Sequence, residues 1–166
     1  MAFFSRHANT ACRLALTTLL LAPCQAARAD SRVDVQALLQ ALRSAGTEIA
    51  ARNCNQKGMY GFYQPEGDQM VICVDNFAQK DPGYLWDVLA HESTHKMQAC
   101  IGGYIMPSTH VGRMIRELRS TMPETLRELA AYPSVQFRLE LEARWMELQA
   151  PQDVITLLKA ACKVRG

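Results

Sequence analysis

Residues 84–103, YLWDVLAHESTHKMQACIGG, predict the helix around which this protein is built. His91 and His95 lie four residues apart, so both imidazoles project from one helical face and can reach the same metal ion. Glu92 follows the first histidine, where its carboxylate can contact a metal-bound water. A zinc ion held by two histidines and one carboxylate keeps a fourth position for water and lowers the pKa of that water to roughly 7. The motif therefore predicts a zinc site with Glu92 as the catalytic base.

The flanking residues indicate that this helix is well delimited and largely buried. Asp81-Pro82 is a helix-start signal, and Gly102-Gly103 is a stop signal. Burying two histidines and a glutamate without partners is unfavourable, and a metal ion would supply the partner. The competing interpretation is a chance match on a solvated helix, because the motif is short. We favour the metal site, since an apolar stripe follows the helix through Leu85, Val88, Leu89, Met97 and Ile101.

Residues 1–29 have the pattern of a secretory signal peptide. Basic residues precede an apolar run at 14–22, and Ala27-Arg28-Ala29 offers a cleavage site. Cleavage after Ala26 is an alternative. The apolar run is too short to cross a bilayer, and nothing later in the chain is long or apolar enough to do so. Residues 30–166 are therefore predicted to form a secreted or periplasmic domain without a membrane span.

The composition of the mature chain excludes some classes of partner. At 166 residues, about half of them apolar, the protein is long enough for one domain with a proper core. Three of the 18 basic residues precede Asp30, which leaves 15 basic residues against 16 acidic ones in the mature chain. This near-neutral balance gives no electrostatic basis for binding nucleic acid or an anionic membrane surface.

The cysteines agree with export. Four remain after the predicted signal peptide, and an even number in an exported domain predicts two disulfides, which three connectivities could satisfy. Cys54 and Cys73 flank a predicted hairpin, so we expect them to pair. Cys100 would then pair with Cys162 and tie the last helix to the motif helix. A cysteine metal site is disfavoured, because the sequence has no C-x-x-C spacing.

The remaining patterns predict a small, mainly helical α+β domain with one short hairpin or sheet beside the central motif helix. Apolar residues at helical spacing predict a first helix from Ser31 to about Arg52. The hairpin is expected from residues 59–63 and from the apolar strand Met70–Val74. Further helices are predicted at 108–120, from Pro123, at 134–149 and from Pro151 to about Cys162.

A strand followed by a short connection and an H-E-x-x-H helix resembles the zincin metallopeptidases. The resemblance implies that the strand ahead of the helix, here Met70–Val74, is an edge strand that pairs with an extended peptide substrate. The metzincin-like pattern H-E-x-x-H-x-x-G-x-x-H is not met, because Gln98 and Ile101 occupy its last two key positions. The chain is more similar to the gluzincin-like branch, whose third metal ligand is a glutamate on a later helix.

Two glutamates compete for the role of third ligand. The gluzincin-like pattern E-x-x-(small)-(acid) matches Glu140 with Ala143, although Arg144 stands in place of the usual acid. Glu140 and Glu142 are about 200° apart on a helix, so only one of them can point at the metal. Glu142 shares a weak apolar face, which favours its burial beside the motif helix. We give the pattern more weight and expect Glu140, with Glu142 as the alternative.

The resemblance implies an exported zinc-dependent peptidase that hydrolyses peptide bonds of a peptide or protein substrate. Two alternatives stay open: a non-catalytic binding domain with a structural or degenerate metal site, and a metal-dependent cell-wall amidase. His110, Tyr104 and Tyr132 are weaker candidates for groups that donate to the transition state. Three arginines at three-residue spacing are expected to form a solvated face rather than a contact for acidic substrates; they are Arg113, Arg116 and Arg119.

Overall fold

The computed structural model describes residues 31–77 and 83–163. The predicted signal peptide and the helix-start signal Asp81-Pro82 lie outside the described residues. No helix within the described ranges is both long and apolar enough to cross a membrane.

Six α-helices and a small sheet make up the described part of the chain, which confirms the predicted mainly helical α+β domain. The helices are α1 (Ser31–Ser44), α2 (Tyr84–Ile101), α3 (Val111–Thr121), α4 (Pro123–Leu129), α5 (Ser134–Met146) and α6 (Pro151–Ala161). The strands are β1 (Glu48–Arg52), β2 (Gly61–Gln64) and β3 (Gln69–Cys73).

The prediction that the first helix continues to about Arg52 is wrong. Helix α1 ends at Ser44, and the chain leaves it through Gly46, which has a left-handed φ of 89°. The Thr47 N–H donates to the Leu42 carbonyl at 3.0 Å, and the Gly46 N–H donates to the Arg43 carbonyl at 3.0 Å. These two bonds form a Schellman motif, the usual glycine-dependent end of a helix. The residues beyond it form strand β1 instead.

The sheet has the order β1-β3-β2. Strands β2 and β3 are antiparallel and form the predicted hairpin, while β1 lies parallel to β3 on its other side. Strand β3 is therefore the central strand, so the expectation that Met70–Val74 is an edge strand is wrong. Met70 to Cys73 are all buried, as their apolar run indicates.

Helix α2 lies at the centre of the domain, as predicted. It packs against α5, α6, α1 and strand β2. Ten of its 18 residues are buried, including the motif residue Glu92. The helix ends at Ile101, and Gly102 follows with a left-handed φ of 71°, which confirms the predicted stop signal. The centre of the fold thus holds the motif histidines on a rigid element.

Both predicted disulfides are present. Cys54 pairs with Cys73 across the base of the hairpin region, and Cys100 pairs with Cys162. The second disulfide joins the last turn of α2 to the residue that follows α6. Disulfides of this kind are typical of an oxidising, extracellular environment.

Replacing both Cys100 and Cys162 with serine should lower the free energy of unfolding by about 2–4 kcal/mol, because the bridge closes a long loop in the unfolded chain. Chemical denaturation followed by circular dichroism measures the change. The corresponding pair of substitutions at Cys54 and Cys73 is the matched comparison. Its sequence separation is 19 rather than 62, so its effect should be smaller. An unchanged denaturation midpoint in the Cys100 and Cys162 variant would contradict this account.

Candidate metal centre

Three side chains predicted to hold a metal converge between helices α2 and α5. The ligand atoms of His91, His95 and Glu140 all lie within 4.8 Å of one another. The two histidine Nε2 atoms are 3.2 Å apart, and Glu140 lies 3.4 Å from His91 Nε2 and 3.6 Å from His95 Nε2. The three side chains remain 12–23% exposed, so solvent can reach the cluster. This arrangement could hold a metal ion.

The outer nitrogen of His91 is bound by an acid that the sequence analysis missed. Its Nδ1 lies 2.8 Å from Glu147 Oε1, and the side chain of Glu147 is only 4% exposed. Glu147 comes seven residues after Glu140, which is about two helical turns along the same face. Arg144 donates to Glu147 at 3.1 Å. Arg144, which stands where the gluzincin-like pattern has an acid, thus holds in place an acid three residues later.

The outer nitrogen of His95 is bound by Gln98. The Gln98 Nε2 group donates to the Leu139 carbonyl at 3.0 Å and faces the Glu142 carboxylate at 3.3 Å. Both partners can only accept, so the amide oxygen is the end that faces His95 Nδ1, at 2.9 Å. An amide oxygen also only accepts. His95 therefore carries its proton on Nδ1.

These outer contacts direct two lone pairs toward the same point. The Glu147 carboxylate can only accept, so His91 carries its proton on Nδ1, and the Gln98 oxygen places the proton of His95 in the same way. The Nε2 atom of each histidine therefore has a free lone pair, which points toward the cluster beside Glu140. Two lone pairs 3.2 Å apart repel one another unless a cation lies between them. A metal ion or an extra proton meets this need.

The charges around the cluster favour a divalent ion. Burial opposes protonation of His91, but hydrogen bonds to Glu140 and Glu147 outweigh it and raise the pKa of this histidine to about 9. A pKa near 9 means that His91 carries a second proton at neutral pH when no metal is bound, held by Glu140 and Glu147. A divalent cation would take the place of this proton, and two imidazoles with one carboxylate are a donor set suited to zinc.

Glu92 lies beside strand β2 and takes no part in the cluster of ligands. Glu92 is only 7% exposed, and the backbone N–H of Tyr63 donates to its carboxylate. Burial raises the pKa of Glu92, while the positive character of His91 and His95 opposes that rise. A buried carboxylate with a raised pKa is suited to accepting a proton.

Strand β2, rather than β3, is the edge strand next to the motif helix. The Cys73 N–H donates to the Tyr60 carbonyl at 3.0 Å, and hydrogen-bonded positions alternate along an antiparallel pair. The backbone groups of Phe62 therefore face β3, whereas those of Gly61 and Tyr63 point away from it. The strand lies very close to α2: a Cβ atom on Gly61 would be 2.8 Å from Val88 Cγ1 and 3.6 Å from Glu92 Cγ. Only glycine fits there without displacing the strand.

The alternative ligand Glu142 points away from the cluster. It is fully buried, and its carboxylate accepts the backbone N–H groups of Ile105 at 2.8 Å and Met106 at 3.2 Å. The helical phasing thus indicated its burial but not its partners. Of the two glutamates, the structure brings only Glu140 together with the histidines.

The weaker candidates lie elsewhere in the described structure. Tyr104 stacks against the Arg138 guanidinium at 3.8 Å, and Tyr132 is 44% exposed on the segment after α4. His110 contacts the neighbouring Thr109 hydroxyl at 3.4 Å. Arg113, Arg116 and Arg119 are all exposed, which confirms the predicted solvated face, and Arg113 pairs on it with Glu117 and lies over the Trp145 ring.

A polar network holds the hairpin against the motif helix. Asp68, at the hairpin turn, accepts hydrogen bonds from Lys96 Nζ at 2.6 Å, from the Tyr63 hydroxyl at 3.0 Å and from Thr47 at 3.0 Å. Lys96 follows His95 directly, and its side chain is only 7% exposed. Tyr63 thus contacts Asp68 through its side chain and Glu92 through its backbone, which connects the hairpin turn to the buried Glu92 carboxylate.

Asp68→Asn should lower the free energy of unfolding at pH 7 by about 1.5–3 kcal/mol, because it leaves the Lys96 ammonium buried without its charged partner. Burial alone would raise the pKa of Asp68, but hydrogen bonds from Lys96, Tyr63 and Thr47 hold it below its usual range. A lowered pKa in the folded state means that this stabilisation is present above roughly pH 4 and is lost as the pH falls further.

Urea denaturation of the wild type and of Asp68→Asn at pH 7 and pH 3 measures this effect. The difference in stability between the two proteins should be smaller at pH 3. An equal difference at both values would show that the carboxylate charge does not contribute.

No protein family model matches this chain, and no curated protein or solved structure is found to match it either.

Proposed function

We propose that this protein is an exported zinc-dependent peptidase that binds extended peptides along the edge of strand β2. The observation that carries the proposal is the convergence of His91, His95 and Glu140 beside the buried carboxylate of Glu92. Structural zinc sites are usually closed by four protein ligands, whereas catalytic sites have three and an open position. The cluster has three potential ligands in the described residues, which favours the catalytic class.

The residues around the cluster have distinct roles in this proposal. Zinc, when bound, supplies a Lewis acid that activates water and polarises the scissile carbonyl. Glu92 accepts a proton from the attacking water and delivers it to the leaving nitrogen as the C–N bond breaks. Glu147 and Gln98 hold the two histidines in the tautomer that offers Nε2 to the metal. Arg144 donates to Glu147 and holds it in place.

The position of strand β2 supports a peptide as the substrate. An extended chain can add to a sheet edge through main-chain hydrogen bonds, and the backbone groups of Gly61 and the Tyr63 carbonyl face outward along β2. The Tyr63 N–H is already bound by Glu92, which places this edge next to that carboxylate. A substrate paired there would pass alongside the catalytic base. The close approach of β2 to α2 at Gly61 brings this edge near the metal cluster.

The predicted signal peptide and the two disulfides support a secreted or periplasmic location for this activity. Both disulfides form only in an oxidising compartment or with an added oxidant. The protein for any assay should therefore be produced with both bridges intact.

Metal analysis and a peptide-library assay on the disulfide-bonded protein test the proposal together. We expect one zinc ion per chain and cleavage of internal peptide bonds, both lost in a His91→Ala, His95→Ala double variant. Glu124→Gln is the matched control, because this carboxylate is 73% exposed and pairs only with Arg127 among the described residues. Zinc binding without cleavage of any peptide would favour a non-catalytic binding domain. A protein that binds no zinc would overturn the proposed site.

A further inference from the structure

Glu142 is a fully buried carboxylate that the proposed reaction does not use. No part of its side chain is exposed, and burying an ionised carboxylate is unfavourable unless strong donors surround it. Three donors do so, namely the N–H groups of Ile105 and Met106 and the Gln98 amide at 3.3 Å, and the Arg138 guanidinium lies within ion-pair distance at 3.8 Å. The carboxylate therefore lies where the segment after α2, helix α5 and Gln98 meet.

Gln98 connects this carboxylate to a metal ligand. Its Nε2 group faces Glu142 and the Leu139 carbonyl, and its oxygen accepts the Nδ1 proton of His95 at 2.9 Å. If the amide rotated by 180°, an NH₂ group would face the Nδ1 proton and an oxygen would face two acceptors. The acceptors on α5 therefore determine the orientation of the amide, and the amide determines the tautomer of His95.

The segment 104–106 is held by the same group of residues. Arg138 donates to the Met106 carbonyl at 2.6 Å and stacks on the Tyr104 ring at 3.8 Å. Glu142 accepts the two N–H groups of this segment. Two residues on one side of α5 thus bind the segment: Glu142 accepts its N–H groups, and Arg138 donates to its carbonyl. The backbone of segment 104–106 therefore has one favoured arrangement against α5.

We propose that Glu142 is a positioning residue for the metal ligand His95, acting through Gln98, and that it couples the conformation of segment 104–106 to metal affinity. The inference rests on the proposed zinc site and adds a residue that does not touch the metal. When Glu142 binds the segment and Gln98 together, His95 Nε2 is aimed at the cluster. A change that releases the segment also releases the Gln98 amide and weakens the site.

The test measures zinc affinity by competition with a chromogenic chelator, in the full disulfide-bonded protein. Glu142→Gln keeps the volume of the side chain but presents an NH₂ group to at least one N–H donor. We expect the zinc dissociation constant to rise about 10–100-fold, the range typical for the loss of an outer-shell partner. Gln98→Met removes the acceptor for His95 directly and should have a similar effect. Glu124→Gln, on the exposed side of α4, should bind zinc as the wild type does.

Proton NMR of the zinc-loaded proteins supplies a readout that general destabilisation would not reproduce. The wild type should show two protected, downfield Nδ1–H signals, one from His91 against Glu147 and one from His95 against Gln98. In Glu142→Gln and in Gln98→Met, only the His95 signal should shift or exchange rapidly. The His91 signal serves as the internal control in the same molecule.

The outcomes separate this inference from the proposed function. If the wild type binds zinc and both variants keep its affinity and its His95 signal, the coupling is wrong while the metal site stands. If the wild type binds no zinc, both proposals fail. Should Glu142→Gln not fold, Gln98→Met still decides whether the amide positions His95, and substitutions at Arg138 decide whether the segment contributes. An Arg138→Leu variant with unchanged zinc affinity would contradict the coupling to segment 104–106.

Discussion

Glu92→Gln should reduce peptide hydrolysis by about 10²–10⁴-fold, the usual contribution of a general base, while leaving the zinc content of the protein unchanged. The substituted amide has nearly the same shape as the carboxylate, and its oxygen can still accept the Tyr63 N–H. It cannot accept a proton from water. The ligand atoms of His91, His95 and Glu140 are not altered by the change.

Steady-state kinetics on a substrate from the peptide library, together with metal analysis of the same samples, measures both parts of this expectation. The wild type and Glu124→Gln are the references for activity and zinc content. Retained hydrolysis in Glu92→Gln would exclude the proposed mechanism. Loss of zinc from this variant would instead indicate that Glu92 belongs to the metal shell.

Glu140→Ala should weaken zinc binding by more than about 100-fold, which exceeds the loss expected from an outer-shell partner. Two histidines four residues apart would remain, without the only carboxylate that lies within 3.6 Å of both Nε2 atoms in the described residues. Hydrolysis should be lost at zinc concentrations that saturate the wild type. The fold should persist, because Glu140 is partly exposed and the core residues of α5 are different ones.

Comparison with the Glu142 variant makes this experiment decisive. Glu142→Gln is expected to keep all three ligands and to lose only part of its affinity. If zinc binding were abolished in the Glu142 variant and kept in Glu140→Ala, the assignment of the third ligand would have to be reversed. Unfolding curves recorded without metal would show whether either change acts through stability alone.

The local parts of the site could be predicted from sequence because they depend on short spacings. The separation of His91 and His95 places both on one helical face whatever surrounds the helix. The four cysteines of the mature chain were paired correctly because two of them flank a hairpin, whose strands the apolar pattern identified. The stop signal at Gly102 follows from the left-handed conformation that glycine tolerates.

The order of the strands could not be predicted, because it depended on one segment whose pattern was ambiguous. Residues 48–52 continue the apolar spacing of the first helix, yet Gly46 ends that helix and the segment pairs with β3. Without β1 on its other side, β3 would have been an edge strand. A single glycine at the helix end therefore decides that β3 is the central strand rather than an edge strand.

The outer partners of the histidines also escaped the sequence analysis, for a different reason. The gluzincin-like pattern has its acid at the position that Arg144 occupies here, so an acid further along the helix was not considered. The structure places Glu147 about two turns after Glu140, where the same helical face returns. In the sequence, Gln98 stands out only because it breaks a metzincin-like pattern. Its contact with His95 depends on two acceptors from α5, the Leu139 carbonyl and Glu142, which are too distant in sequence for a local pattern to include them.

The metal ligands come from two helices separated in sequence by α3 and α4, so a bound ion would act as a reversible crosslink within the chain. It would join His95 to Glu140, and this loop overlaps the one closed by Cys100 and Cys162. A ligand that binds only the native state stabilises it by about 2.7 kcal/mol at a free concentration 100 times its dissociation constant. Metal supply would then influence how long this protein survives in the presence of proteases, as well as any activity of its own.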